Sequence, residues 1–312
     1  MNLFKLNPRA LDLKHGSVMT IGNFDGVHLG HQALLHQLLQ KRQLLGLASI
    51  VVLFEPHPKE LFLKVKAPKR IYTLREKLVY LQRLGIDYVF CINFTHDVAV
   101  IEPDIFIQSI LFERLHVKYL LVGHDFHFGK NRQGHFGLLQ QWGNKLNFQT
   151  EMFACIEKDG QRISSTGIRE YLKIKDLDSA RIDLGRPYSV IGRVGYGRQL
   201  ARLWGIPTAN IAVLEQKLSL KGVFCVKVRI GDLPGEYEGV ANMGYRPTVD
   251  GSKPFLEVHL FDFDASLYGQ FLEVLFLHCL RDEQKFPDVE HLRKQIEKDV
   301  LKAKAYFCSK FS

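Results

Sequence analysis

The chain has 312 residues, which exceeds the usual size of one domain and favours two. Hydrophobic residues make up 46% and charged residues 24%, ordinary values that exclude long disordered regions. No apolar run approaches the roughly 20 residues of a membrane span. The first eight residues lack the apolar core of a secretion signal, so we expect a cytoplasmic protein that does not bind membranes.

The cysteines and the net charge indicate which cellular compartment and which kinds of ligand to expect. Five scattered cysteines form no Cys-x-x-Cys pair, which indicates a reducing compartment and disfavours a zinc site. The net charge of +9 fits either a nucleic acid or a small polyanion such as a nucleotide. Because lysines and arginines are spread along the chain without a nucleic-acid-binding motif, the small anion is favoured.

In the first half, short apolar strands alternate with helices. Ser17–Ile21 is predicted to be a strand, and Gln32–Leu45 has leucines at helical spacing, followed by Gly46 at the stop position. The same rhythm continues in strands at Ser49–Phe54, Tyr88–Ile92 and Tyr119–Val122 and in helices near Leu74–Leu84 and Pro103–Leu115. This alternation predicts an α/β domain with a parallel sheet of the Rossmann-like kind.

The second half is rich in strands. Glycine and proline turns separate five predicted strands, at Tyr188–Val194, Val223–Ile230, Glu238–Met243, Phe255–Phe261 and Phe271–Leu277. Their spacing predicts a small antiparallel β-barrel, and a final helix is predicted after Pro287 and Asp288. The change of pattern near Asp183 to Pro187 predicts domains at residues 1–184 and 185–312.

Between the first strand and the first helix lies a glycine-bearing turn, Gly22–His31, with the sequence Gly-Asn-Phe-Asp-Gly-Val-His-Leu-Gly-His. Backbone amides at a helix N-terminus attract phosphate, and glycines allow close approach. His28 and His31 are three residues apart, so both imidazoles can lie on one side of the first turn and stabilise charge on a phosphate. A single histidine here would fit a simple helix cap. The pair favours a catalytic site whose expected nucleotide-binding residues are Gly22, Asn23, Phe24, Gly26 and Gly30.

This turn resembles the H-x-G-H motif of prokaryotic bifunctional riboflavin kinase/FAD synthetases. The resemblance continues through Phe54–Pro58, Val122–Gly129 and Ile163–Arg169, and it covers nearly the whole chain. It implies an α/β nucleotidyltransferase domain that transfers an adenylyl group from ATP to FMN, giving FAD and pyrophosphate. It further implies that Ser165, Thr166 and Arg169 contact ATP phosphates, which suits hydroxyl and guanidinium donors.

Candidate flavin contacts lie in the Val122–Gly129 block. Asp125 is a possible polar contact, and Phe126 and Phe128 are candidates for stacking on the flavin, although aromatic pairs more often belong to a core. His127 stands where the family commonly has arginine, and Gly167 where it has a bulkier residue.

A second motif, Gly205–Asn210, resembles the G-x-P-T-A-N sequence of riboflavin kinases. Thr208 and Asn210 offer oxygen ligands that suit Mg²⁺ bound with ATP. Glu257 alternates with apolar residues on a predicted strand, and the resemblance implies that it is the general base acting on riboflavin. His259, on the same face, is expected to be structural. Ala201 replaces a glycine usual in the family.

Two other hypotheses stay open at this stage. A different H-x-G-H enzyme, such as a pantetheine-phosphate or nicotinate-nucleotide adenylyltransferase, explains the first half but leaves Pro207–Asn210 and Glu257 without a role. A basic nucleic-acid-binding protein predicts affinity that falls steeply with salt. The favoured hypothesis has small-molecule substrates only: ATP, riboflavin and FMN, with flavins as substrates and products.

Overall fold

The computed structural model describes residues 1–7, 12–154, 156–158, 161–196, 206–214, 220–248 and 251–310. Contacts divide the chain into two compact units. The first comprises Met1–Pro68 and Leu74–Ser164, and the second comprises Lys69–Thr73 and Ser165–Ser312. None of the helices in these described ranges is both long and apolar enough to cross a membrane.

The first unit contains a six-stranded sheet flanked by helices. Its strands are β1 (Asn2–Lys5), β2 (Ser17–Ile21), β3 (Ala48–Glu55), β4 (Tyr88–Asn93), β5 (Val117–Gly123) and β6 (Gln149–Phe153), with a small hairpin of β7 (Glu157–Lys158) and β8 (Gln161–Arg162). Its helices are α1 (Leu29–Leu45), α2 (Pro58–Leu63), α3 (Leu74–Arg83), α4 (His96–Ala99), α5 (Pro103–Ile105, continued by a π-helix at Phe106–Arg114) and α6 (Phe136–Leu146).

The order of these strands, β1-β4-β3-β2-β5-β6, puts the switch point at β2. All neighbours pair in parallel except β1 and β4, which are antiparallel. Because the chain runs to β3 and β4 on one side of β2 and to β5 and β6 on the other, a crevice is expected at the carboxyl end of β2. All five residues of β2 are buried, as expected for a strand covered on both faces.

The second unit is built around a closed barrel. Helices α7 (Ser165–Ile174) and α8 (Leu177–Leu184) precede β9 (Ser189–Gly195), β10 (Ala209–Ala212), β11 (Gly222–Ile230), β12 (Tyr237–Thr248), β13 (Gly251–Leu260) and β14 (Phe271–Arg281), and α9 (Val289–Lys310) follows. The strands are antiparallel and close in the order β10-β13-β12-β11-β14-β9.

Helix α9 covers part of the outer face of this barrel. Ala303 and Phe307 of α9 pack against Val223, Cys225 and Val240, and these five residues are buried together. A bidentate ion pair between Arg281 and Asp299 fixes the end of β14 to the helix, with Nη2 and Oδ2 2.7 Å apart. Burial of apolar side chains of both the helix and the barrel stabilises α9 in this position.

The predicted fold class is confirmed: a parallel α/β sheet, an antiparallel barrel and a C-terminal helix. Five strands were not predicted, since segments of two to five residues give little periodic signal: β1, β6, β7, β8 and β10. Along the chain, the second compact unit begins again at Ser165, since α7 packs on α8 and α8 packs on β14. The division into domains at residues 1–184 and 185–312 stays a prediction.

Candidate active sites

The turn that follows β2 has an unusual backbone. Phe24 and Val27 have positive φ angles of 47° and 41°, and Gly26 has 84°. A positive φ is a clear outlier for a β-branched residue such as Val27. At Gly22, a Cβ would lie 2.9 Å from the Phe24 ring, so only glycine lets that ring fold over the strand end. Backbone strain of this kind costs free energy and is concentrated at functional sites.

This turn positions two histidines at the start of α1. His28 is the N-cap residue, and its Nδ1 accepts a hydrogen bond from the His31 backbone N–H at 3.4 Å. The two imidazoles are stacked with centroids 3.7 Å apart, and the Phe24 ring lies 4.9 Å from His31. Because Nδ1 accepts, the neutral His28 ring carries its proton on Nε2, which is then a donor. The positive end of the helix dipole lies at the same place.

Other predicted residues of this site lie around the pair. The Asn23 Oδ1 atom is buried and has no hydrogen-bond partner among the described residues. A Cβ at Gly30 would lie 3.2 Å from His28 Cε1 and 3.8 Å from the Ile163 carbonyl oxygen. The chain segment that leads into Ser164 therefore passes beside the first turn of α1.

Histidine N-caps occur twice more in the same unit. His135 caps α6 through a 3.4 Å hydrogen bond from the Leu138 N–H, and His57 caps α2 through a 3.0 Å bond from the Lys59 N–H. Capping alone therefore does not distinguish His28. What distinguishes it is burial, with 6% exposure, and the stacked second imidazole of His31.

The candidate flavin contacts differ in accessibility. Asp125 is exposed and forms an ion pair with Arg162 at 2.8 Å. Burial acts to raise the pKa of Asp125, but the hydrogen bond and charge of Arg162 outweigh it and lower that pKa. Phe128 is buried in the core against Phe106, whereas Phe126 is half-buried and stacked on Phe128 at 5.4 Å.

In the second unit, Ser165 and Thr166 open helix α7. Arg169, one turn later, donates from Nε to the Lys69 carbonyl oxygen at 2.7 Å. Hydroxyls at a helix start and a neighbouring guanidinium are donors of the kind that phosphate accepts.

The barrel brings distant polar residues into one row. Asn210 on β10 lies directly opposite Glu257 on β13, and Asn242 on β12 lies opposite Glu257 from the other side. Leu256 and Val258, the chain neighbours of Glu257, are buried inside the barrel, so Glu257 lies on the opposite, outer face. Asn210 is half-buried, and its Nδ2 donates to the Thr208 carbonyl oxygen at 3.4 Å.

The backbone before Thr208 is held by His259. Its Nδ1 donates to the Pro207 carbonyl oxygen at 2.9 Å. Burial lowers the pKa of His259, an effect that this hydrogen bond only partly offsets. The ring is therefore a bonded, neutral histidine near neutral pH, which agrees with the structural role predicted for it. Gly205, which opens the Pro-Thr-Ala-Asn motif, and Ala201 lie outside the described residues.

Comparison with known proteins identifies two enzyme domains along the chain. A family model described as FAD synthetase matches residues 11–167, and one described as riboflavin kinase matches residues 184–307. The chain is 48% identical to the bifunctional riboflavin kinase/FMN adenylyltransferase of Haemophilus influenzae, covering 94% of this chain and 95% of that protein. Its identity to the Escherichia coli protein of the same name is 44%, covering 94% of each.

The chain belongs to the bifunctional riboflavin kinase/FMN adenylyltransferase family. It contains both enzyme domains of that family. A solved structure of a protein from Streptococcus pneumoniae, named as a macrolide-efflux protein, is also similar, with a TM-score of 0.74 and 27% identity over 91% of this chain and 92% of that chain. That likeness extends to almost the full length of both chains.

Two features of this family member were not assigned by the sequence. In the first unit, Phe54, Phe94 and Phe62 form edge-to-face contacts at 5.6 and 6.1 Å near the carboxyl ends of β3 and β4, and Phe62 is 60% exposed. In the second unit, Glu283 lies over Gly244, where an added Cβ would meet its carboxylate. Burial raises the pKa of Glu283. Aromatic residues placed at strand ends could have signalled the first feature, whereas the second depends on tertiary contact alone.

Proposed function

We propose that the barrel site transfers phosphate from ATP to riboflavin, and that the α1 site then transfers an adenylyl group from ATP to the resulting FMN. The stacked imidazole pair of the buried His28 and the half-buried His31 at the N-terminus of α1 carries the second assignment. The cross-strand pair Asn210–Glu257 carries the first. We assign adenylyl transfer to residues 1–184 and riboflavin phosphorylation to residues 185–312.

In adenylyl transfer, an oxygen of the FMN phosphate forms a bond to the α-phosphorus of ATP. The bond from that phosphorus to the bridging oxygen of the β-phosphate breaks, and pyrophosphate leaves. The reaction needs charge stabilisation more than covalent help. His28 Nε2–H is a donor in a buried environment, where it stabilises developing negative charge better than in water. His31 stacks on it and restricts its orientation.

The nucleotide is expected to use the backbone around this pair. Gly22, Phe24 and Gly26 shape the turn, and Gly30 leaves room beside His28. The unpartnered, buried Oδ1 of Asn23 supports contact with a ligand, since such atoms are normally hydrogen-bonded. For Ser165, Thr166 and Arg169, contact with ATP phosphates stays a prediction from the family resemblance.

The flavin is expected at the aromatic cluster of the half-buried Phe54 and Phe94 and the exposed Phe62. Its ring system is flat with an apolar dimethylbenzene end, and Phe62 offers an accessible face. Phe126 is half-buried and suits an edge contact, whereas the buried Phe128 supports Phe126 from below. Asp125 is exposed and keeps its negative charge near Arg162, so it suits a polar contact at the rim.

In phosphoryl transfer, the terminal ribityl hydroxyl of riboflavin bonds to the γ-phosphorus of ATP, and ADP leaves. Glu257 takes the hydroxyl proton as general base. The described residues contain no group of three or more histidine, cysteine or acidic side chains able to hold a metal ion. Mg²⁺ would instead be held by the Thr208 hydroxyl and the Asn210 amide oxygen together with nucleotide phosphates, whose charge it would neutralise.

The experiment uses purified protein with riboflavin, ATP and Mg²⁺, and separates the flavins by chromatography. We expect His28→Ala to lower FAD formation at least about 10²-fold, the effect of removing one such donor, while FMN still accumulates. His135→Ala is the matched control, because it removes an equivalent helix cap without touching the proposed site. Equal FAD formation by the two variants would refute the assignment of His28.

The converse variant is Asn210→Ala. It should lose FMN formation and still convert added FMN to FAD. Loss of both activities together in a folded variant would contradict two separate sites.

DNA binding that rises at low salt and competes with ATP would contradict the small-molecule substrates proposed here and favour a nucleic-acid partner. A cytoplasmic location remains a prediction.

A further inference from the structure

The outer face of the barrel holds more polar residues in register than the proposed kinase reaction uses. Asn242 lies directly opposite Glu257 in the β12–β13 pairing, as Asn210 does in the β10–β13 pairing. Directly opposed residues on antiparallel strands have Cβ atoms about 4.5–5.5 Å apart and point to the same face. Ala241 and Met243, the chain neighbours of Asn242, are buried inside. Asn242 therefore shares the outer face with the proposed general base.

The amide oxygen of Asn242 is chemically unusual. Its Oδ1 is buried and accepts no hydrogen bond from any described residue. Buried polar atoms in proteins are nearly always hydrogen-bonded. Because an amide oxygen only accepts, the missing partner must bring an O–H or N–H group.

The surroundings indicate what kind of partner fits. Gly244, two residues along β12 on the same face, is covered by the carboxylate of Glu283. The carboxylate of Glu257 on β13, the amide oxygen of Asn242 on β12 and the Glu283 carboxylate over Gly244 of β12 are therefore acceptors at neighbouring positions of this face. A ligand that matches several acceptors in a row carries several hydroxyl groups, and the ribityl chain of riboflavin is such a group.

We propose that Asn242 is a riboflavin-binding residue whose Oδ1 accepts a hydrogen bond from a ribityl hydroxyl next to the one that reacts. The inference rests on the proposed kinase site at Glu257. The bond orients the chain so that the terminal hydroxyl meets the base, and it also satisfies the buried oxygen. A water bound to Mg²⁺ is the other source of an O–H donor here, and the experiment separates the two.

The test compares Asn242→Ala and Asn242→Asp in the full chain, with FMN formation as the readout. We expect Asn242→Ala to raise the KM for riboflavin about tenfold, the effect of one lost hydrogen bond to substrate. Asn242→Asp keeps an acceptor at the same position and should recover most of that loss. Inhibition by lumiflavin, which has the ring system without the ribityl chain, should be equal in wild type and Asn242→Ala.

Three controls keep the outcome clear. Glu238→Ala changes a side chain on the same face of β12, four residues from Asn242, and should leave the KM for riboflavin unchanged. Adenylylation of added FMN, which uses the other site, should be normal in every variant. The MgATP dependence should also stay within twofold of wild type.

Several results would overturn the proposal. An unchanged riboflavin KM in Asn242→Ala would do so, as would a shift in the Mg²⁺ requirement instead, which assigns the partner to a metal-bound water. If Asn242→Ala fails to fold, a tenfold rise in the riboflavin KM of a folded Asn242→Asp would also exclude the acceptor role. The kinase proposal itself fails if Glu257→Gln phosphorylates riboflavin as wild type does, whatever Asn242 variants show.

Discussion

The two sites of this enzyme are built from opposite kinds of backbone. The residues proposed for catalysis of adenylyl transfer, His28 and His31, lie within one stretch of ten residues, Gly22–His31, where a strained turn leads into a helix terminus. The residues proposed for the kinase site, Asn210, Asn242 and Glu257, are far apart in sequence, and the strand register of a closed barrel brings them together. One site is local and the other depends on tertiary structure.

This difference has energetic consequences. In the first unit, the free energy cost of positive φ angles at Phe24 and Val27 is met by the surrounding packing, and a small change near His28 disturbs chemistry before it disturbs folding. In the second unit, any change that loosens the barrel also displaces the row of residues proposed for the kinase site. Stability and kinase activity should therefore be coupled more tightly there.

The largest expected effect is on the chemical step of the kinase site. Glu257→Gln keeps the shape of the side chain and removes its basicity, so kcat for FMN formation should fall about 10²–10⁴-fold. Conversion of added FMN to FAD should not change. Steady-state kinetics of both reactions measure this, with Glu238→Gln on the neighbouring strand as the control. A kcat within threefold of wild type would remove the general-base role.

A second prediction tests how far the barrel depends on its covering helix. Asp299 is almost fully buried and accepts hydrogen bonds from Nε and Nη2 of Arg281 and from the side-chain amide of Gln295. Asp299→Ala leaves that guanidinium without its partner and should lower the free energy of unfolding by about 3–5 kcal/mol. Kinase activity should then disappear at lower temperature than adenylyl transfer, as urea and thermal denaturation with both assays would reveal.

Its matched control lies on the same helix. Glu297 forms an ion pair with Arg293 at 3.0 Å, and both side chains are 46% exposed. Glu297→Ala should cost no more than ~1 kcal/mol, because solvent screens exposed pairs. Similar losses of stability in the two variants would show that the Arg281–Asp299 pair does not anchor α9.

The third prediction concerns the first site and expects a smaller effect. A methyl group at residue 30 would meet the His28 ring at 3.2 Å, so Gly30→Ala should displace the imidazole by a few tenths of an ångström. We expect FAD formation to fall roughly 10- to 100-fold, with FMN formation unchanged. Gly137→Ala places the same methyl 3.2 Å from the capping ring of His135 and is the control. Equal effects of the two substitutions on FAD formation would mean that the geometry of His28 is not critical.

The same contrast explains what could be predicted from the sequence. The H-x-G-H turn could be recognised because its strand, glycines and helix start are contiguous in the sequence. The spacing of three residues puts His28 and His31 on one side of the helix, where their rings stack. Glu257 was found on the outer face from simple alternation along one strand. Asn242 received no role, since nothing local marks a residue that matters only through its register with another strand. The packing of α7 on α8 and of α8 on β14 could not be predicted either, because helical periodicity does not show which elements a helix packs against.

The smallest predicted effect is a pH dependence confined to the second unit. Burial lowers the pKa of His259, Lys304 lowers it further, and the Pro207 carbonyl and Asp262 oppose the shift. The folded state therefore binds a proton more weakly than the unfolded chain, whose histidine pKa is about 6.5. The stability that this difference contributes is complete above that pH and is lost as pH falls through the lower, folded pKa.

His259→Asn retains a donor for the Pro207 carbonyl and cannot titrate. The Tm of the barrel unit should consequently fall less in this variant than in wild type between pH 7 and 5, by a margin below the ~2–4 °C that 1 kcal/mol represents in a domain of this size. Identical dependence of Tm on pH in the two proteins would mean that the protonation of His259 does not govern how the Pro207–Thr208 backbone is held. A difference between them in the pH dependence of FAD formation would contradict the separation of the two sites.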